Sequence, residues 1–323
     1  MTNPILETYN SVGIEGLRTA LKSEYSREDV AAALESGLKT DDVPLVAELL
    51  PLDKYTYIPR CFEHAGLDKN SGAVSLNVVA YLMEQPSFSE FVHSFDNYHE
   101  PRAGVIYQAC LSETDKSAAI SAVLKKTLEM PQTSGGQRSR MLEEGFIALM
   151  MTAKGNIENF KAVCSVVAVE NPALLSAALF VSSYQTIGDA SKTEDFSAKT
   201  DFVCQQIDNP AVFATAVNHI AKSCRYIPDV LLERVSPETL DKALIASTGE
   251  HADRDSKGAN LARLLGFYTP SDEAIIAATA QALRKESPHK DQVLVLLNFM
   301  DGRPGLINQD TADKTKLLII AAK

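Results

Sequence analysis

The stretch "NPALLSAAL" (Asn171–Leu179) is answered further along the chain by "NPAVFATAV" (Asn209–Val217). An asparagine side chain can accept a bond from an unpaired amide in the first turn of a helix. Proline at the first helical position loses nothing, because its missing amide would have had no intrahelical partner. Both stretches therefore predict helix starts. The match extends to Val169-Glu170 against Ile207-Asp208, and to Ala173 and Ala178 against Ala211 and Ala216. The interval between the two starts holds two helices with their turns, so the repeated unit is a helical pair.

Working outward, Ser236-Pro237, Thr269-Pro270 and Ser287-Pro288 place the same kind of capping side chain before proline. Ser26 three residues before Asp29, and Thr269 three before Asp272, pair a hydroxyl cap with a carboxylate suited to the positive end of a helix. Apolar residues recur at three- and four-residue steps between these starts. Examples are Val30, Ala33, Leu34 and Gly37; Ile120, Val123, Leu124 and Leu128; and Ile275, Ile276, Thr279 and Leu283. Alternating strand patterns with hairpin turns do not recur. The expected fold is all-α, an irregular α-solenoid of stacked antiparallel helix pairs; the alternative is an irregular multi-helix bundle. The ankyrin Thr-Pro-Leu-His core is absent, and so is the tetratricopeptide pattern, since the chain has no tryptophan. The polar stretch "MPQTSGGQRSR" (Met130–Arg140) suggests an amino-terminal helical region over 1–130 and a helical-repeat region over 141–323, or else one continuous array.

The chain has 323 residues and a net charge of -11, with 31 Lys and Arg against 42 Asp and Glu. That balance disfavours broad attraction to nucleic acid or to anionic membranes. The one compact basic stretch, "GGQRSR", has no aromatic residue on which a base could stack. Five cysteines with no Cys-x-x-Cys pair read as reduced thiols behaving as small core residues. No apolar run approaches the roughly 20 residues needed to span a bilayer, and the amino-terminal stretch does not resemble a secretory signal. A cytoplasmic location is the expectation, although a bacterial effector exported by a specialised apparatus would share these features.

The densest group of chemically able side chains is "SEFVHSFDNYHE" (Ser89–Glu100). Glu90, His93 and Asp96 recur every three residues, which on a helix puts them on one side, as carboxylate and imidazole ligands of a metal would stand. "DRDSKG" (Asp253–Gly258) begins like a calcium loop but has Lys257 at the fifth position and Leu264 where a glutamate ligand belongs. No phosphate-binding glycine loop or nucleophile-elbow motif is present, and no cofactor is expected. Two functions follow. The first is a protein–protein interaction module with an extended helical-repeat surface, taking a partner with a basic segment through acids such as Asp41, Asp42, Glu48 and Asp53. The second is an enzyme, a metal-assisted hydrolase with its site at Glu90, His93 and Asp96.

Overall fold

A computed structural model describes residues 3–21, 25–52, 58–88, 104–130, 137–152, 154–167, 171–182, 193–223, 227–249, 258–283 and 290–301. Among the described residues the regular structure is entirely helical. The chain gathers into two compact units, Met1–Glu170 and Asn171–Lys323.

The first unit contains α1 (Pro4–Ala20), α2 (Arg27–Lys39), α3 (Val43–Leu49), α4 (Ile58–His64), α5 (Leu76–Met83), α6 (Val105–Cys110), α7 (Ser117–Glu129), α8 (Gln137–Met150) and α9 (Ile157–Val167). Helices two apart in sequence pack side by side: α1 on α3, α3 on α5, α5 on α7 and α7 on α9 form one row, and α2, α4, α6 and α8 form another. Neighbours such as α2 and α3, α4 and α5, or α8 and α9 join the rows. Each helix buries one stripe between them. On α7 that stripe is Ala119, Ile120, Val123, Leu124 and Thr127, a 3.6-residue period. Leu128, expected on this face, is instead exposed, because Thr127 takes the inward position and spends its hydroxyl on the Val123 carbonyl at 2.7 Å. Aromatic pairs fill the wider gaps, Phe62 against Phe88 at 5.8 Å and Phe146 stacked on Phe160 at 5.6 Å between ring centres.

The second unit contains α10 (Pro172–Ser182), α11 (Thr193–Gln205), α12 (Pro210–Lys222), α13 (Asp229–Leu232), α14 (Pro237–Ser247), α15 (Ala259–Phe267), α16 (Asp272–Leu283) and α17 (Lys290–Asp301). Here α10, α12, α14 and α16 form a row, each packed on the next, while α11 meets α13 and α15 meets α17.

The caps read from sequence hold at four starts. Ser26 accepts from the amide of Asp29 at 3.1 Å, Asn171 from Leu174 at 3.1 Å, Asn209 from Ala211 at 3.0 Å and Ser236 from Thr239 at 3.3 Å. The Thr269-Pro270 start is displaced. Ser271, not Thr269, caps α16 by accepting from Ala274 at 3.2 Å. The reason is tertiary: the Ser271 amide and the Tyr268 hydroxyl both donate to the Asp241 carboxylate of α14, at 3.2 and 2.9 Å, which ties both ends of 268–271 to that helix. Ile276, expected inward, is exposed, and Ala278 and Ala282 are buried beside Ile275 and Thr279. Residues 287–288 lie outside the described residues.

Candidate interaction surface

Along one edge of the first unit, each connector receives hydrogen bonds from the start of the helix pair that follows. Lys39, the last residue of α2, offers its carbonyl to the Ser75 hydroxyl at 3.2 Å, and the turn after it offers the Asp41 carboxylate to the Asn77 side chain at 2.7 Å and the Val78 amide at 2.8 Å. The connector after α4 offers the carbonyls of Gly66, Asp68 and Ser71 to the Lys116 ammonium. The end of α6 and the connector after it offer the carbonyls of Ala109, Ser112 and Thr114 to the Asn159 side-chain amide at 3.4, 3.3 and 2.9 Å, and the Ser112 carbonyl again to the Asn156 backbone at 2.8 Å. Gly155, at φ +96°, lets its backbone lie against Cys110 and Leu111, since a Cβ there would fall 1.9 Å from the Cys110 oxygen.

These ties make α1, α3, α5, α7 and α9 start at one edge and run in one direction. Tyr9 near the start of α1 donates to Asp42, the cap of α3, at 3.1 Å, and Arg18 near its end reaches Glu48 near the end of α3 at 2.7 Å. Burial, reinforced by the bond to Asp42, raises the Tyr9 phenol pKa.

Charged side chains pair across the helices of this row. Arg18 bridges Glu15 at 2.6 Å and Glu48 at 2.7 Å, and this pairing raises its pKa. On the neighbouring α5, burial first and the Glu48 charge second push the Tyr81 phenol upward. Glu84, at the end of α5, holds Lys126 of α7 at 2.8 Å and raises its pKa, with Glu129 adding to the effect. Glu15, Arg18, Glu48, Tyr81, Glu84, Lys126 and Glu129 thus form a stripe over four helices that are distant in sequence. Four carboxylates face two cations, and Glu15 and Glu84 are 79% and 71% exposed.

Of the acids singled out from sequence, Asp41 and Asp42 serve as helix caps, Asp42 also accepting from the Leu45 amide at 3.1 Å. Glu48 lies on the stripe. Asp53 lies outside the described residues, as do Glu90, His93 and Asp96. Among the described residues no group of three or more His, Cys, Asp or Glu side chains is placed to hold a metal, and no helix is long and apolar enough to cross a membrane. Sequence reading found Glu48 by its charge alone. It missed Lys116 and Asn159, whose roles depend on loops more than forty residues away.

The fold and this surface define a class, an all-helical protein of row-stacked helices. Comparison with protein-family profiles, with curated proteins and with solved structures yields no significant match.

Proposed function

We propose that the chain is a protein–protein interaction module and that the outer face of the α1–α3–α5–α7 row takes a basic segment of its partner. The reading treats the stacked rows as a short α-solenoid, in which core spacing is fixed by the inner stripe while outward positions are free to match a ligand. The observation that carries it is the stripe itself, in which glutamates from four helices are linked through shared ion pairs. An excess of carboxylates attracts cationic side chains and fixes their register more than it adds raw affinity. Basic side chains from a partner would compete with Arg18 and Lys126 for Glu48 and Glu84.

The experiment is binding of lysine- and arginine-rich peptides to the full chain, read by fluorescence anisotropy at two salt concentrations, with Glu15→Lys and Glu84→Lys as charge reversals. Both sites are exposed, so the fold should lose no more than about 1 kcal/mol. Saturable, salt-sensitive binding that the double reversal abolishes is the expected result. The reading fails if binding is equal for acidic and basic peptides, or is indifferent to the reversals.

A further inference from the structure

We propose that the connector between α4 and α5 is a monovalent-cation cage, filled from within the chain by the ammonium of Lys116. Lys116 stands just before α7 and is 2% exposed, a rare fate for a lysine. Its Nζ lies 2.5 Å from the Gly66 carbonyl, 2.6 Å from that of Asp68, 2.9 Å from that of Ser71 and 2.8 Å from the Ser71 hydroxyl oxygen. The Ser71 hydroxyl spends its own proton on the Gly66 carbonyl at 2.7 Å, which leaves its lone pairs for the nitrogen. Four acceptors thus converge on one point. An ammonium meets them with three protons, whereas a neutral amine would leave acceptors unmet and turn a lone pair toward carbonyl oxygens.

The loop is shaped for this convergence. Gly66 adopts φ +103°, where a Cβ would fall 2.4 Å from the Ala73 oxygen, so the turn can close tightly only at a glycine. The Asp68 carboxylate accepts from the amides of Asn70 at 2.7 Å and Ser71 at 3.2 Å, which folds the chain back and points the carbonyls inward. Without a cation, three carbonyl dipoles would face one another in a site that is partly shielded from water, an arrangement that costs free energy. Rings of carbonyls of this kind substitute for the hydration shell of a monovalent ion. Because the cation arrives from the following helix pair, the connector is complete only once α7 has docked.

The test is thermal melting of the full-length Lys116→Ala variant in ammonium chloride, potassium chloride and tetramethylammonium chloride at equal ionic strength. The variant should lose several degrees in Tm and regain part of the loss, saturably, in ammonium or potassium but not in tetramethylammonium, whose methyl groups do not fit the cage. Wild-type protein should show no such selectivity. Equal melting of the variant in all three salts overturns the proposal. Should that variant not fold, acylation of native wild-type protein, followed residue by residue by mass spectrometry, decides. Lys116 should stay unmodified while Lys125 and Lys161 react, and Ser71→Ala should accelerate its modification. Reaction of wild-type Lys116 as fast as Lys125 overturns the cage.

Discussion

The side chain of Asn159 on α9 completes the backbone of Lys116: its Oδ1 accepts the Lys116 amide at 2.6 Å while its Nδ2 faces the carbonyls of Ala109, Ser112 and Thr114. Both ends of one fully buried amide are therefore committed to the α6–α7 connector. Asn159→Ala leaves the buried Lys116 amide without its acceptor and removes a donor from the Thr114 carbonyl, and should cost roughly 2–3 kcal/mol in urea unfolding. Asn159→Asp keeps the acceptor for Lys116 but turns an oxygen toward three carbonyls, so it should be no better than alanine at neutral pH. A loss below about 0.5 kcal/mol for both would show that the network does not hold the connector.

Gly155 and Gly145 should respond to alanine in opposite senses. At Gly155 a Cβ meets the Cys110 oxygen at 1.9 Å and the backbone has φ +96°, so Gly155→Ala should destabilise by about 2–4 kcal/mol through clash and strain. Gly145 sits within α8, and a methyl group added there would find nothing within 4 Å. At that position alanine should stabilise by roughly 0.5–1 kcal/mol, because glycine loses more backbone freedom on entering a helix. Denaturant midpoints of the two variants check the pair.

The buried thiols should be inert. Burial pushes the pKa of both Cys164 and Cys204 up to about 12; at Cys204 a nearby Asp201 adds to the rise, while Arg234 opposes it. At pH 8 almost none of either group is thiolate, the form that attacks alkylating reagents. Native protein treated with iodoacetamide should carry no label at Cys164 or Cys204 by mass spectrometry, and both should label rapidly in urea. Labelling in the native state at the unfolded rate would refute this.

Acid should loosen the α4–α5 connector. Burial raises the Asp68 pKa, but its bonds with Ser71 and Asn70, with the Lys116 charge, outweigh it and leave the group lower than an ordinary aspartate. A carboxylate depressed in the folded state adds stability that is present above its unfolded pKa and lost as pH falls through the folded one. Thermal melts should therefore show wild type losing its advantage over Asp68→Asn below about pH 4. A constant difference from pH 7 to pH 2.5 would count against the assignment.

Much of the helical structure was legible in local sequence because capping and amphipathic spacing are short-range physics: Asn171, Asn209, Ser26 and Ser236 announce their helices without outside help. Asn3-Pro4 carries the same signal, its side chain accepting from Ile5 and Leu6, and could have been read the same way. The stripe on the first unit was hardly legible. Arg18, Glu48, Tyr81 and Lys126 meet only through the packing of alternate helices, and nothing local distinguishes Glu48 from a solvated glutamate. Lys116 was invisible for the same reason, since a lysine before a helix reads as surface until the loop at 66–71 closes over it.

Asp41 separates folding from binding. It is the one described non-glycine residue with positive φ, at +60°, a region that aspartate and asparagine tolerate better than other side chains. Its carboxylate also supplies the cap that Ser75 does not, accepting from Val78 at the start of α5. Asp41→Ala loses both the cap and the conformational tolerance and should cost about 2–3 kcal/mol, whereas Asp41→Asn keeps an acceptor and the tolerance and should cost less than about 1 kcal/mol. Neutralising this charge should leave peptide binding by the α1–α3–α5–α7 face unchanged in the Asn variant, because Asp41 lies at the edge where helices start while Glu48 and Glu84 lie toward the opposite ends. Parallel urea unfolding and anisotropy titrations make the distinction: an Asn variant that folds like wild type yet no longer binds would move the partner surface to that edge.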